Sequence, residues 1–454
     1  MRKTLETLCL ASALIWPAIS YSAVAAASAS STAASSISTS ASAFASASDS
    51  AESDEIKRGA YLATAGDCIA CHTAKTGKPF AGGLPIGIPM LGTIYSSNIT
   101  PDKTTGIGTW SLADFDQAMR HGISKDGHNL YPAMPYVSYA KLNDADIASL
   151  YAYFEQGVAP VSNTLPKSSI PWPMNMRWPL KLWNIGFLPA VGYQPKAGQS
   201  EAWNRGAYLV QGFAHCSTCH TPRGVAMQEV ALDETGKGFL GGSVLAGWNA
   251  YNITSAKNGG IGGWSQTQLT QYLRTGSVPG LAQAAGPMGE AVEHSFSHLQ
   301  ASDLDAIATY IRTIPAVEDG SSAPRQSLGN PATDVAKLRG VALSGAADLV
   351  DPARLYLGNC ASCHQANGKG SPDGYYPSLI HNSTVGASDP GNMVQVILQG
   401  IHRNAAGNDV GMPGFASELS DAQVAALTNY LTGTFGNPHA SVSADAVAKL
   451  RKID

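Results

Sequence analysis

Three pentapeptides decide the class of this sequence: Cys68-Ile69-Ala70-Cys71-His72, Cys216-Ser217-Thr218-Cys219-His220 and Cys360-Ala361-Ser362-Cys363-His364. Each has the form C-x-x-C-H, and together they contain six of the seven cysteines of the chain. C-x-x-C-H is the attachment signal for a c-type haem, because the two thiols add to the two vinyl groups of the porphyrin and the histidine then faces the iron. The pattern predicts three covalent haems, with the following proximal iron ligands: His72, His220 and His364.

A structural zinc site is one alternative for paired cysteines, and it fits the spacing poorly. Two C-x-x-C pairs that share a zinc ion are usually about 15–20 residues apart. Here the steps between pairs are 148 residues (68 to 216) and 144 residues (216 to 360). Zinc would also leave the histidine after every pair unexplained. A dithiol redox motif would lie near a βαβ pattern, which the sequence lacks.

The chain contains three copies of one unit, each about the size of a small domain. Similar segments precede the three motifs: Lys57-Arg58-Gly59-Ala60-Tyr61-Leu62, Asn204-Arg205-Gly206-Ala207-Tyr208-Leu209 and Ala353-Arg354-Leu355-Tyr356-Leu357-Gly358. Each unit closes with apolar residues at helical spacing, for which Asn143 and Ser420 are expected N-caps. The first two units also share a Gly-Ile-Gly-x-Trp-Ser block, at 106–111 and 260–265. We expect each unit to open with a short helix that carries the motif and to close with an amphipathic helix.

These repeats predict a mainly α, loop-rich fold of three tandem class I cytochrome c domains, each built around one covalent haem. The content of 47 Gly and 26 Pro agrees with a chain that turns often. The predicted organisation is a signal peptide at 1–25, an Ala/Ser-rich flexible tether at 26–50, domains at 51–160, 201–315 and 351–436, a Pro/Trp-rich linker at 161–200, a second linker at 316–350 and a C-terminal tail at 437–454.

The N-terminus predicts export. Residues 1–25 combine Arg2 and Lys3 with an apolar stretch and a small-residue cleavage site, Ala23-Val24-Ala25, which is the pattern of a secretory signal. Cys9 lies inside this segment and is expected to be removed with it. Covalent haem addition takes place outside the bacterial inner membrane, in agreement with export. No later segment has 18 uninterrupted apolar residues, so no transmembrane helix is predicted.

The sixth iron ligand is expected from the far end of each unit. Methionine there would raise the haem potential and close the iron against small ligands. Met134 and Met412 each stand in a Met-Pro pair just before the last helix of their unit, and proline stiffens the chain so that the thioether can be aimed. Both are predicted iron ligands.

The second unit offers fewer methionines. Met288, in Gly286-Pro287-Met288-Gly289, precedes the last helix and is the predicted ligand. His294 and His298 are the rivals, and either would give bis-histidine iron with a lower potential. Met227 follows His220 by only seven residues, which is too close to reach the opposite haem face easily.

Other residues carry two interpretations. Trp110 and Trp264 either donate their indole N–H to haem propionates or belong to the core. The tripeptides Asn98-Ile99-Thr100 and Asn252-Ile253-Thr254 match a glycosylation acceptor, but in a bacterial chain they favour a turn beside the haem. Aromatic residues of the first linker form either a membrane-surface patch or an interdomain contact: Trp172, Trp178, Trp183 and Phe187.

Composition and absent motifs narrow the function. The 29 basic and 33 acidic residues give a net charge of −4, which argues against a nucleic-acid binder. The sequence lacks G-x-G-x-x-G after a strand and lacks G-x-S-x-G, so it predicts no nicotinamide, flavin or nucleophile site of its own. Three haems without a substrate site indicate an electron-transfer subunit. The alternatives are a multihaem peroxidase or reductase with one open haem iron, and a free-standing electron shuttle.

With these motifs in place, the sequence resembles the three-haem cytochrome c subunits of bacterial membrane-bound sugar and alcohol dehydrogenases. It is most similar to the cytochrome subunit of FAD-dependent glucose dehydrogenase complexes, followed by those of gluconate and sorbitol dehydrogenases. The resemblance extends over nearly the whole mature chain, and its most specific stretches are residues 65–72, 95–108, 126–136, 176–180, 215–224 and 286–295.

The resemblance implies an oxidoreductase complex that acts on CH-OH donors. The implied partners are an FAD-containing dehydrogenase catalytic subunit, a small exported accessory subunit and ubiquinone as the electron acceptor. It places the family's axial methionines at Met134, Met288 and Met412. It also implies the periplasmic face of the inner membrane, with peripheral or weak anchoring. Some members carry a longer C-terminal segment for membrane attachment, whereas this sequence ends at Asp454; two alternatives follow, that this subunit does not attach to the membrane itself or that it attaches through an internal amphipathic surface.

Overall fold

The computed structural model describes residues 39–88 and 92–453, with side chains from Glu52 onward. The predicted signal peptide, 1–25, lies outside the described residues. Helix α1 (Thr39–Ala65) begins inside the segment that was predicted to be a flexible tether. Alanine has the highest helix propensity of all residues, so an Ala/Ser-rich run can be helical without an apolar period. The chain divides into two bodies, Met1–Ser50 and Ala51–Asp454, and all three C-x-x-C-H motifs lie in the second.

The first unit consists of short helices around one hairpin. After α1 its elements are α2 (Cys68–Cys71), β1 (Pro85–Ile88), β2 (Gly92–Tyr95), α3 (Leu112–His121), α4 (Tyr136–Tyr139), α5 (Asp144–Ala152) and a π-helical turn (Tyr153–Gly157). Strands β1 and β2 pair antiparallel. The predicted N-cap of the closing helix is confirmed, because the Asn143 side chain accepts a hydrogen bond from the Asp146 N–H.

The second unit repeats this order after a linker helix, α6 (Pro179–Phe187). Its elements are α7 (Glu201–Tyr208), a π-helical turn (Leu209–Phe213), α8 (Cys216–His220), the hairpin β3 (Ser243–Leu245) and β4 (Trp248–Ala250), α9 (Gln266–Thr275), the pair β5 (Ser277–Val278) and β6 (Ala282–Gln283), α10 (Gly286–His294), a 3-10 turn (Phe296–His298) and α11 (Ala301–Ile311).

The third unit follows a linker that contains only 3-10 turns, at Arg325–Ser327, Val335–Leu338 and Ala346–Leu349. Its elements are α12 (Pro352–Asn359), α13 (Ala361–His364), α14 (Gly391–Gln399), the hairpin β7 (Ile401–Ala405) and β8 (Asn408–Met412), α15 (Asp421–Phe435) and α16 (Ala444–Leu450). Ser420 caps α15 with a capping box to Gln423, as predicted. The mainly helical, loop-rich character predicted from the repeats is confirmed.

The opening and closing helices of the first two units cross at a glycine. A Cβ atom on Gly59 of α1 would lie 1.9 Å from the Ser149 carbonyl oxygen of α5, and one on Gly206 of α7 would lie 1.9 Å from the Ala306 carbonyl oxygen of α11. Only glycine allows backbones to approach this closely. Each crossing sets the position of the opening helix, and therefore of the motif that follows it.

The buried side chains form two separate cores. One core is continuous through the first and second units, from Leu62 to Ile314, and also takes in Ala405 of the β7 hairpin. The other belongs to the third unit and is built around Tyr356, Leu427 and Phe435. The first two units are therefore packed as one apolar body, while the third has a core of its own.

Candidate haem sites

The three C-x-x-C-H motifs each occupy one helical turn: α2, α8 and α13. In the first two units the residue before the motif, Asp67 or His215, has a left-handed backbone with φ of 48° or 34°. That residue separates the opening helix from the motif turn. A single turn places the two thiols and the histidine next to one another, as attachment to one porphyrin requires.

None of the six motif cysteines forms a disulfide; Cys360 is buried, Cys71 is exposed and the other four are partly buried. Burial raises the pKa of Cys68 and of Cys360 to about 12, so both are protonated at neutral pH. Two cysteines that are not bridged to each other within one motif fit attachment to the two vinyl groups of one haem.

The histidines of the motifs share one hydrogen-bond arrangement. Each Nδ1 lies against a backbone carbonyl oxygen: His72 on Ser97 at 2.7 Å, His220 on Tyr251 at 2.6 Å and His364 on Pro377 at 2.8 Å. This contact puts the proton on Nδ1 and leaves Nε2 as the lone-pair donor, which is how proteins orient a metal-ligating imidazole. Burial lowers the pKa of all three histidines, which keeps them in the neutral form that binds iron.

The three predicted methionines are half-buried against the two cores. Met134 and Met288 pack against the shared core, and Met412, the last residue of β8, packs against the core of the third unit. The two alternative iron ligands of the second unit, His294 and His298, are both exposed, unlike Met288. Met227 is 58% exposed, and Met119 lies within the shared core.

A buried N–H donor without an acceptor, in the side chain of Trp264, tests whether the second site fits a haem. Trp264 is buried in the shared core, and its indole Nε1 has no hydrogen-bond partner among the described residues. A buried N–H without an acceptor costs free energy, so an acceptor from outside the polypeptide is expected. A haem propionate is such an acceptor. Both interpretations of Trp264, core residue and donor, agree with its position, and the residues present fit the group.

The two Asn-Ile-Thr tripeptides hold the linkers rather than sugars. Asn98 and Asn252 are buried, and each side-chain Oδ1 accepts the N–H of the threonine two residues later. Each Nδ2 then donates to a linker carbonyl oxygen, Asn98 to Val161 at 2.7 Å and Asn252 to Val317 at 2.6 Å. The predicted turn is confirmed. Its docking of the linker beside the proximal histidine was not anticipated.

The first and second units meet through two matching sets of polar contacts. Arg205 forms a bidentate pair with Asp303 of its own unit, and Tyr61 of the first unit donates to the same carboxylate at 2.6 Å. In the mirrored set Arg58 pairs with Asp146, to which Tyr208 of the second unit donates. Burial alone would raise the pKa of Asp303, but the hydrogen bonds from Arg205 and Tyr61 lower it.

This interface brings the first two motifs together. Burial raises the pKa of Cys71 to about 11, and the nearby carboxylate of Asp67 adds to this shift. The His215 ring also contacts the first unit, with its Nε2 3.4 Å from the Gly66 carbonyl oxygen. The segments that lead into the first two motifs are therefore in direct contact.

Comparison with known proteins identifies this arrangement. The sequence profile of the cytochrome c family matches residues 56–157 and 350–434. The fructose dehydrogenase cytochrome subunit of Gluconobacter japonicus is 44% identical over 88% of this chain and 84% of its own length. The gluconate 2-dehydrogenase cytochrome c subunit of Pantoea cypripedii is 44% identical over 87% and 89%. The chain belongs to the cytochrome c subunits of dehydrogenase complexes. Membership implies covalently bound haem c and a catalytic dehydrogenase partner.

The alcohol dehydrogenase (quinone) cytochrome c subunit of Gluconacetobacter polyoxogenes is a further relative, 41% identical over 88% of this chain and 85% of its own. The family resemblance inferred from the motifs is thus confirmed. The family profile does not cover the second unit, although that unit contains the same C-x-x-C-H pentapeptide and the same histidine contact.

Proposed function

We propose that this chain carries three covalent haems c and passes electrons from a flavoprotein sugar dehydrogenase subunit to membrane ubiquinone. The haems are attached at the six motif cysteines, with His72, His220 and His364 as proximal ligands and Met134, Met288 and Met412 as distal ligands. The observation that supports this best is the threefold recurrence of the histidine Nδ1 contact with a backbone carbonyl. When bound, the haems supply the one-electron chemistry, and the polypeptide sets their positions and potentials.

The packing of the units favours a relay through all three sites. The His215 ring, next to the second motif, reaches the Gly66 carbonyl oxygen, next to the first, with its Nε2 at 3.4 Å. The third unit joins the second where the Asn392 side chain exchanges two hydrogen bonds with the Asn249 backbone, at 2.7 Å and 2.9 Å. Domains attached through buried contacts hold their cofactors at fixed distances, which an electron relay requires.

The family supports a catalytic dehydrogenase subunit as partner, and the other partners belong to the proposal. An FAD-containing catalytic subunit would deliver electrons, with a small exported accessory subunit in the same complex. One relative is the cytochrome c subunit of an alcohol dehydrogenase (quinone), in agreement with ubiquinone as the acceptor. These assignments place the chain at the periplasmic face of the bacterial inner membrane.

An exposed apolar surface around α6 supports peripheral contact with that membrane. Trp172 and Ile185 are both 76% exposed, and Trp178 and Leu182 are exposed as well. Trp183 ties the helix to the next loop, where its Nε1 donates to the Ala226 carbonyl oxygen at 2.8 Å. Large apolar side chains rarely form an exposed patch of this kind unless the patch binds a partner or a lipid surface. In the described part of the chain, no helix has the length and apolarity to cross a bilayer.

The first test is the number and ligation of the haems. Mass analysis of the exported protein should show three haem additions, and its spectrum should show only low-spin, six-coordinate iron. A variant with Cys216→Ala and Cys219→Ala should lose one haem and keep two. Fewer than three additions in the wild type would refute the relay, and a high-spin ferric haem that binds cyanide quickly would favour the peroxidase or reductase alternative.

The second test concerns membrane and acceptor. Ile185→Glu should reduce co-sedimentation with anionic liposomes and slow ubiquinone reduction by the assembled complex. Leu343→Glu is the matched control, because Leu343 is also exposed and apolar, at 62%, but lies in the second linker. Equal membrane binding by both variants and the wild type would exclude the α6 surface as the contact.

A further inference from the structure

The linker after the second unit brings a cation beside the second haem site. Arg325 lies eight residues after Val317, which Asn252 holds in place. Its guanidinium carbon lies 4.0 Å from the centre of the Tyr251 ring. The carbonyl of this same Tyr251 accepts the Nδ1 proton of His220. Tyr251 is therefore the single residue that lies between Arg325 and the proposed iron ligand His220.

This cation belongs to a group of buried donors that lack acceptors. The Arg325 Nε, the Trp264 Nε1 and the Arg403 Nε are all sealed from solvent and have no hydrogen-bond partner within the described residues. Helix α9 links two of them, because its Tyr272 ring packs edge-on against Trp264 at 5.6 Å and the Arg403 Nε lies 2.5 Å from the Cβ position of its C-cap, Gly276. All three orphaned atoms are N–H donors, so the missing partner is an acceptor.

Two of these donors come from outside the second unit. Arg403 stands on β7 of the third unit and is 1% exposed. It fills the space that a Cβ on Gly276 would occupy, and its Nη1 donates to the Ala284 carbonyl oxygen. Buried guanidinium groups are expected to face an anion. Neither arginine forms an ion pair with a carboxylate among the described residues.

The first unit does not repeat this feature. Its linker is held in the same way, since Val161 occupies the place of Val317 on Asn98 and Thr100. Eight residues after Val161 stands Ser169, which bonds to Thr93 of the β1–β2 hairpin. The same register therefore carries a serine at the first site and an arginine at the second.

We propose that Arg325, together with Trp264 and Arg403, binds the propionate groups of the second haem and raises its reduction potential above that of the first. Reduction adds an electron beside the guanidinium groups, and buried positive charge stabilises the reduced form more than the oxidised form. The second linker and the third unit are thus part of the second haem site. The inference rests on the proposed attachment of a haem at Cys216 and Cys219.

The experiment compares the full-length, haem-loaded protein with Arg325→Gln. One of the midpoint potentials in a spectroelectrochemical titration should fall by at least 59 mV, a tenfold change in a one-electron equilibrium, while the others stay. The propionate-bending band in the resonance Raman spectrum should shift as well. Arg325→Lys should recover part of the potential, and Arg339→Gln, an exposed arginine of the same linker, should change neither readout.

Haem counting separates the two proposals. If mass analysis finds no haem on the second unit, the proposed function fails and the potentials carry no information on Arg325. If three haems are present, and the Arg325→Gln titration and the Raman band match those of the wild type, the propionate assignment is wrong. Trp264→Phe is a second variant, which removes the indole N–H donor and leaves both arginines in place. The same midpoint potential should fall by less than in Arg325→Gln. An unchanged potential would count against the cluster of three donors.

Discussion

Replacement of Gly206 by alanine tests the helix crossing that positions the second motif. The new Cβ would lie 1.9 Å from the Ala306 carbonyl oxygen and 2.8 Å from the Tyr310 Cβ. Since contacts of a Cβ atom essentially never fall below 3.0 Å, α7 and α11 must separate by at least 1.1 Å (3.0 minus 1.9). The obstacle is backbone and cannot rotate away, so we expect an overpacking cost of about 2–3 kcal/mol. Alanine recovers about 1 kcal/mol through helix propensity, which leaves a net loss of about 1–2 kcal/mol.

The assay is the midpoint of urea unfolding of the haem-loaded protein, followed by far-UV circular dichroism, with the slope m held as a check on compactness. Gly358→Ala in α12 is the matched control, because Gly358 also precedes a motif but has no atom within 4 Å of its Cβ position. That variant should gain up to about 1 kcal/mol. If both variants shift the midpoint upward by the same amount, the crossing does not constrain the fold and the reasoning is refuted.

Three further predictions concern the interface, a linker and a ligand. Asp303→Asn should lower the free energy of unfolding by about 1–3 kcal/mol near neutral pH and should make that free energy less dependent on acid pH. Because folding lowers the Asp303 pKa, the wild type keeps this stability above about pH 4 and loses it as the pH falls through the folded-state pKa. Identical acid profiles of the two proteins would contradict the pairing. Asn252→Ala should speed protease cleavage within 316–350 but not within 161–200, and Asn98→Ala should do the reverse; uniform cleavage would refute the docking role. Met288→Ala should make one haem of three bind cyanide, and an unchanged spectrum would exclude Met288 as a ligand.

The sequence predicted the local features well. The three motif turns, the N-caps Asn143 and Ser420 and the membership of the cytochrome c family all follow from short patterns, because a cap or an attachment motif acts within a few residues. The contacts between units did not follow. The bond from Tyr61 to Asp303 joins residues 242 positions apart, and no local pattern marks either residue as an interface partner.

The two cores have a chemical origin in the opening helices. The first two units begin with the same Arg-Gly-Ala-Tyr segment, and in each the tyrosine hydroxyl crosses to the aspartate of the other unit. The tyrosine of the third unit, Tyr356, donates instead to the Gln365 carbonyl oxygen within its own unit. With no tyrosine to exchange, the third unit closes its own core and reaches the second unit through Asn392 and Arg403. A change that loosens the third unit should therefore disturb the proposed second haem site before the first, since Arg403 contacts Gly276 and Ala284 of the second unit.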